Sequence, residues 1–384
     1  MVEISEYHKY DYHGHVPNKG KLMISHQVPT GNLDAPFFGI TDNGIKREGL
    51  YRLQDEGAPT GDMAARNVLQ SLNADEKGNA LRDLNSEDWR KGSNPEIILF
   101  RCGVRLEHLD KGKVELILEL LKKSLSEAGF SKVTAAMKTN KFLGEICGKE
   151  AILNENSYWF TLFGKPSETE SWGYMFFGHH LGLNVFVNRQ QMVIGPIIDT
   201  GPDKGIELCE KEGQLGLYLM QSLSPELQQK AQIYSHMHDQ AMPEGRWNPA
   251  DERHMAGAFQ DNRVIAYEGI LATDMTAEQQ TVLISIISAF LALLPPKPLQ
   301  FRLNQIVGFF SETYFSWIGG FGPADAFYYR IQSPVALFEF DHHSGVFLTN
   351  DEPAKYHIHT IQRLPNGNDY GRELRKLALV RETN

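Results

Sequence analysis

The stretch SYWFTLFGKPSETESWGYMFFGHHLGLNVFVN, residues 157–188, is dense in aromatic and β-branched side chains. Such residues favour strands, and the Gly-Lys-Pro-Ser segment at 164–167 is a turn signal between two apolar runs. The pattern predicts two antiparallel strands, and it places His179 and His180 in the middle of the second one. The fold therefore contains a sheet that carries histidines.

Helical and strand patterns alternate along the rest of the chain. KVELILELLKKSLSEAGF at 113–130 predicts an amphipathic helix ended by Gly129, and helices are also predicted at 206–223 and 276–294. Strands return at the end of the chain in AFYYRIQSPVALFEFD, HHSGVFL and YHIHTIQR, followed by a short helix. We predict an α+β fold of mixed and antiparallel strands surrounded by helices. It forms one domain over 1–384, with a subdivision into a mostly helical lobe, 16–165, and a strand-rich lobe, 166–384.

Composition excludes several classes of protein. A net charge of −10 and a sequence pI near 5.8 argue against a nucleic-acid partner. The chain has three cysteines and no C-x-x-C pair, which argues against a disulfide framework and a thiolate zinc site. The longest apolar run, 282–296, is too short to cross a bilayer, and the first residues lack a signal-peptide pattern. No phosphate-binding glycine loop is present, so no nucleotide cofactor is expected. We predict a soluble, cytoplasmic protein without a membrane partner.

Histidines recur in three predicted strand segments. His357 and His359 are two residues apart, so on a strand they face the same side, with Ile358 towards the core. Two imidazoles on one face suit zinc, iron or copper, although a lone H-x-H pair is more often structural. The other candidates occur in adjacent pairs, of which only one member should reach a shared centre: His179 or His180, and His342 or His343. The alternative is a set of buried histidines satisfied by carboxylates.

Acidic and basic residues could complete an active site. Asp341 lies beside the second histidine pair, and Glu212 follows the start of a predicted helix, where it either reaches the metal or only complements the helix dipole. Arg363 and Arg330 could bind a substrate carboxylate. An internal ion pair of Arg363 with Asp341 or Asp369 is the competing interpretation. Tyr370 could hydrogen-bond in the same site.

The sequence resembles the family catalogued as domain of unknown function 3500, which has bacterial and fungal members. The resemblance rests on WGYMFFGHHLGLN, EGQLGLYLMQSL, FYYRIQSPVALFEFDHHSGVF and HIHTIQRLPNGNDYG, in that order. It implies no substrate. It does imply that ionisable and polar residues recur at fixed motif positions, which adds Asn184 as a substrate contact and Asp369 as a catalytic residue. These positions are His179, His180, Asn184, Glu212, Asp341, His357, His359, Arg363 and Asp369.

The function expected from the sequence is that of a metal-dependent enzyme. His179 or His180, His357 and His359, joined by His342 or Glu212, would bind one first-row metal, with zinc favoured over iron or copper. Asp341 or Glu212 would move protons in the hydrolysis or lyase cleavage of a small carboxylate-bearing or peptide-like molecule. One alternative is a non-haem iron or copper oxidoreductase, and another is a metal-binding module without catalysis. The sequence does not predict the oligomeric state.

Overall fold

One twelve-stranded mixed sheet forms the centre of the protein. The computed structural model describes residues 33–40, 44–54, 57–59, 61–94, 100–189, 191–200, 208–249, 251–345 and 352–383. In chain order the strands are β1 (Leu81–Arg82), β2 (Val104–Arg105), β3 (Tyr158–Gly164), β4 (Ser171–Gly178), β5 (Leu181–Asn188), β6 (Gln191–Thr200), β7 (Gln232–Tyr234), β8 (Ile270–Leu271), β9 (Tyr314–Gly319), β10 (Phe327–Ser333), β11 (Ala336–His342) and β12 (Ile358–Arg363).

Two antiparallel runs of strands are joined edge to edge within this sheet. The first run is β3-β4-β5-β6 and the second is β9-β10-β11-β12. Strands β6 and β12 pair in antiparallel fashion, with His359 opposite Asp199, and this pairing joins the two runs into one sheet. The predicted boundary at residue 165 falls in the connection between β3 and β4, two neighbouring strands of the sheet.

Nine α-helices accompany the sheet in the described part of the chain. They are α1 (Asp62–Ser71), α2 (Ala74–Ala80), α3 (Lys111–Ser124), α4 (Glu127–Cys147), α5 (Glu210–Ser222), α6 (Pro225–Ala231), α7 (Ala277–Phe290), α8 (Pro296–Val307) and α9 (Arg372–Thr383). Start signals in the sequence account for several of them. The side chain of Ser224 caps α6 in front of Pro225, and Thr276 and Gln279 form a capping box at the start of α7. The predicted α+β class is confirmed.

The two faces of the sheet have different partners. The main core lies on one face, where strand residues such as Val185, Phe338 and Ile358 pack with helix residues such as Leu219 and Ile286. The position of Ile358 in the core confirms the prediction made from its neighbours. Because side chains alternate along a strand, His357 and His359 project to the opposite face. Within the described residues, no helix is long and apolar enough to cross a membrane.

Two predictions of local structure are wrong. The stretch 171–188 is not one strand but two, β4 and β5, and His179 and His180 form the turn between them. The helix predicted at 113–130 ends at Ser124, and Gly129 lies in the first turn of α4. A Cβ on Gly129 would lie 2.7 Å from Cα of Leu293, so this glycine permits a close approach of backbones rather than ending a helix.

Candidate metal centre

Three histidines from two distant parts of the chain meet on the face opposite the main core. They are His180 from the β4–β5 turn, with His357 and His359 at the start of β12. Their ligand atoms all lie within 4.8 Å of one another. Nε2 of His357 is 3.0 Å from Nε2 of His359. Ligand atoms of tetrahedral zinc, bound at 2.0–2.1 Å, are separated by about 3.3 Å, so this spacing fits a shared metal ion.

The position of His180 depends on an uncommon backbone conformation. Its φ is 61°, in the left-handed region, and its amide N–H donates to the carbonyl of Asn94 at 2.9 Å. For a residue with a Cβ this conformation costs roughly 1–2 kcal/mol. Strained positions of this kind cluster at functional sites. Its Nδ1 is buried and has no hydrogen-bond partner within the described residues.

Two further histidines extend the cluster beyond the three. His343 follows β11, and its ring stacks on that of His359 with centroids 3.8 Å apart. His254 comes from the segment between β7 and β8, and its ring centroid lies 5.2 Å from that of His343. The ligand atoms of His254, His343 and His359 also lie within 4.8 Å of one another, as do those of Glu252, Asp341 and His343.

Burial keeps most of these imidazoles neutral. Desolvation, reinforced by the neighbouring histidines, holds the pKa of His180 and His359 well below the ordinary value of histidine. Desolvation also lowers the pKa of His343, against the attraction of Glu252. Burial opposes charge on His254 as well, but Asp251, Glu339 and Asp341 outweigh it and raise its pKa to about 9. Most imidazoles of the cluster are therefore neutral, which is the form that binds metals, whereas the surroundings of His254 favour a positive charge.

Of each adjacent histidine pair, the structure brings one member into the cluster. His180 joins the cluster, whereas Nδ1 of His179 lies 2.8 Å from Oδ1 of Asn140. His343 joins it, whereas the ring of His342 packs against Phe327 and Phe340. His342 was among the metal ligands predicted from the sequence, but its ring lies outside the histidine cluster. Along β11 His342 shares a face with Phe340, and His343 shares the other face with Asp341.

Glu212 is also away from the cluster. It lies in the first turn of α5, where its carboxylate accepts a hydrogen bond from Nζ of Lys132 at 2.5 Å. Its backbone carbonyl accepts from the Tyr329 hydroxyl at 2.9 Å. Tyr329 points to the main core, and the histidines lie on the other face of the sheet. Glu212 therefore belongs to an internal ion pair on the helical side.

Arg363, Asp369 and Tyr370 form a separate buried network. Arg363 donates to Asp261 at 2.6 Å and to Asp369 at 3.1 Å, and it also donates to the carbonyl of Ala256. The Tyr370 hydroxyl donates to the same Asp261 carboxylate at 3.0 Å. The internal pairing of Arg363 with Asp369, which the sequence left open, is the one observed. Because its nitrogens are occupied by the protein, Arg363 is not available to a substrate carboxylate in this structure.

The other proposed substrate contacts occupy different places. Arg330, on β10, donates to Glu268 at 2.7 Å, and its Nε and Nη1 are buried without a hydrogen-bond partner in the described chain. Asn184 lies on β5 opposite Gly195 of β6, and its Oδ1 is likewise buried without a partner in the described residues.

The segment 251–254 belongs to the site but was not among the residues predicted from the sequence. Glu252, Arg253 and His254 lie in NPADERHMAG, and all three are buried. Arg253 donates to Asp341 and to Glu252, and Ser344 also donates to Glu252. The segment carries no periodic pattern. The only signal was a cluster of ionisable residues in a stretch rich in turn formers, which is typical of exposed loops as well.

Comparison with known proteins places the chain in a family. The family model described as "Protein of unknown function (DUF3500)" matches residues 56–372. The chain belongs to this family. The DUF3500 match includes every residue of the cluster and confirms the resemblance seen in the sequence. No curated protein and no solved structure matches the chain.

Proposed function

We propose that this DUF3500 protein is a metal-dependent hydrolase whose metal is held by His180, His357 and His359. The observation that carries the proposal is the convergence of these three imidazoles, with ligand atoms within 4.8 Å, on one side of a rigid sheet. Three histidine ligands leave one position of a tetrahedral zinc ion for water or substrate, as in catalytic rather than structural sites. His357 and His359 are only half-buried, which leaves that side accessible.

The chemistry follows from the ligand set. Zinc bound by three imidazoles lowers the pKa of its water to about 7, which supplies a nucleophile at neutral pH. Asp341 stands opposite His359 in the β11–β12 pair, and its Oδ2 is buried and makes no hydrogen bond within the described residues. This carboxylate oxygen, 3.0 Å from Nε2 of His343, would accept the proton of the attacking water.

Two buried arginines support a carboxylate-bearing substrate. Besides the two nitrogens of Arg330, Nε and Nη2 of Arg246 are buried without a hydrogen-bond partner in the described chain. The Arg246 guanidinium lies 5.3 Å from the ring centroid of Tyr328, whose centroid is 6.3 Å from that of His254. Guanidinium N–H groups without acceptors suit a carboxylate. Arg330, together with Arg246, takes over the role first proposed for Arg363.

The test combines metal analysis with activity. Untagged protein would be prepared without added metal, stripped, and reconstituted with zinc, beside His357→Ala/His359→Ala and the surface control His108→Ala. We expect one zinc or more per chain in wild type and control. We also expect hydrolysis of small N-acyl amino acids, an amide class that carries a carboxylate, by these two proteins. The double variant should lose hydrolysis and the zinc ion held by His180, His357 and His359.

Other outcomes would decide against this function. Iron or copper bound natively and lost in the double variant, with oxygen consumed during turnover, would identify the oxidoreductase alternative. Zinc bound tightly without hydrolysis of any small amide or ester would favour the non-catalytic module. Failure to bind any first-row metal on reconstitution would refute the metal site itself.

A further inference from the structure

The cluster holds more ligand groups than one metal ion uses. Apart from His180, His357 and His359, it contains the imidazoles of His254 and His343 and the carboxylates of Glu252 and Asp341. A catalytic zinc ion takes three protein ligands. His343 belongs to two further sets of neighbouring ligand atoms, Glu252/Asp341/His343 and His254/His343/His359, and the second of these shares His359 with the first site.

The imidazole of His254 is buried. The residue is 2 % exposed, and neither ring nitrogen has a hydrogen-bond partner in the described chain, whereas its backbone N–H donates to the carbonyl of Asp251 at 3.0 Å. Oδ1 of Asp251 lies 3.9 Å from its Nδ1, beyond hydrogen-bonding distance. A buried polar group left unsatisfied costs about 1–3 kcal/mol, so such a group calls for an explanation. A bound cation would provide one.

Asp341 offers a second ligand atom beside His343. Its Oδ1 accepts from Nε of Arg253 at 2.7 Å, while Oδ2 lies 3.0 Å from Nε2 of His343. Oδ2 nevertheless has no hydrogen-bond partner among the described residues, because the contact lacks hydrogen-bond geometry. Two ligand atoms at this separation, without a hydrogen bond between them, are close to the spacing of about 3.3 Å around tetrahedral zinc.

The charges around this position favour a cation. Glu252 and Asp341 both pair with one guanidinium, that of Arg253, so two carboxylates face a single positive charge. All three side chains are buried. In the metal-free protein His254, whose pKa is raised to about 9, carries a compensating positive charge, and a divalent ion bound by the neutral imidazole would take its place.

We propose that the protein binds a second divalent first-row cation at His343, with His254 and Asp341, each of which offers a ligand atom within 4.8 Å of one of His343, next to the cation at His180, His357 and His359. The inference rests on the proposed function, because the second ion would work with the first. Cations in two-metal hydrolytic sites lie about 3.5–4 Å apart and stabilise both the attacking and the leaving oxygen. Asp341 would then serve as a ligand rather than as the proton acceptor. His359 lies between the two positions, facing His357 on one side and stacked on His343 on the other.

Zinc stoichiometry tests the second site. Full-length untagged protein, stripped by chelator, would be titrated with zinc, and bound zinc per chain would be measured after gel filtration. We expect two equivalents in wild type and in the surface control His108→Ala. We expect one in His254→Asn, which lacks the second site, and one in His357→Ala, which lacks the first.

A measurement on wild type alone guards against a variant that fails to fold. Two copper(II) ions at this separation couple magnetically, so the paramagnetic resonance signal of copper-loaded wild type should be well below that expected from its copper content. A full signal at one copper per chain, with one zinc in both wild type and His254→Asn, would overturn the second site and leave the first intact. No bound metal in any protein would refute both sites together.

Discussion

Nε of Arg253 donates to Oδ1 of Asp341 across 2.7 Å, and the two side chains are 1 % and 0 % exposed. The pair connects the 251–254 segment to β11, since Arg253 also donates to the backbone carbonyl of His342. This contact holds the loop that carries His254 against the strand that carries His343. The geometry of the whole cluster therefore depends on an ion pair between residues that are far apart in the chain.

Asp341→Asn should destabilise the metal-free protein. The substitution keeps the shape of the side chain but leaves the buried Arg253 with one carboxylate instead of two. Breaking a buried ion pair from one side costs about 3 kcal/mol or more. Urea unfolding would measure the loss, with Glu312→Gln as control. Glu312 pairs with Arg47 at the surface, where the side chains are 40 % and 52 % exposed, and its loss should cost about 1 kcal/mol or less. Equal losses in the two variants would contradict a structural role for the Arg253–Asp341 pair.

Arg363→Lys should lower stability and leave the bound zinc unchanged. One ammonium group cannot contact Asp261, Asp369 and the Ala256 carbonyl in the planar arrangement of the guanidinium. We expect a loss of about 2 kcal/mol in the free energy of unfolding, from hydrogen bonds to charged groups. Denaturant unfolding and metal analysis of the same preparation provide the two readouts. Wild-type stability combined with a raised KM would instead restore the substrate-binding role.

His180→Gly and His180→Ala should both abolish zinc binding at the first site but differ in stability. Both variants remove the imidazole, and only alanine keeps a Cβ at a backbone position with φ of 61°. Glycine adopts this conformation freely, so the glycine variant should be more stable than the alanine variant by about 1 kcal/mol. Thermal and urea unfolding of the metal-free variants would show the difference. An alanine variant as stable as the glycine variant would mean that the turn relaxes out of the left-handed conformation.

Acid should destabilise the metal-free protein partly through His179. Burial lowers the pKa of this histidine to about 3, and an unfolded histidine titrates near 6.5. As the pH falls below about 6.5, the unfolded chain takes up a proton here that the folded chain does not, so stability decreases by up to about 1.4 kcal/mol per pH unit. His179→Gln should reduce the slope of unfolding free energy against pH, by a difference that approaches one bound proton near pH 5. His108→Gln, at a side chain 73 % exposed, should leave that slope unchanged, and equal slopes in all three proteins would refute the assignment.

Several elements followed from local sequence signals. The threonine at 276 begins a helix where predicted, and the Ser-Pro pair at 224–225 begins another, because capping and proline geometry act over a few residues. The β4–β5 turn was missed for a related reason. A histidine pair is not a usual turn dipeptide, and its left-handed second residue overrides the preference for glycine.

The cluster could be predicted only in part. His357 and His359 were found because their spacing alone puts them on one face of a strand. The choice of His343 over His342 follows from the phase of β11, which the sequence did not define closely enough. His254 could not have been predicted, because nothing within its own segment indicates that the segment covers the sheet.

The sequence by itself determined which side chains share a face within one strand, since alternation is a property of the extended backbone. It therefore placed His357 and His359 on one face of their strand, and Asp341 and Glu339 on one face of theirs. Only the tertiary structure decided which strands are neighbours. The pairing of β6 with β12 brings the β4–β5 turn to His357 and His359, and the burial of Arg253 against Asp341 brings His254 to His343. Both contacts join residues distant in sequence. They form because buried backbone and charged groups need partners, and no local segment supplies those partners by itself.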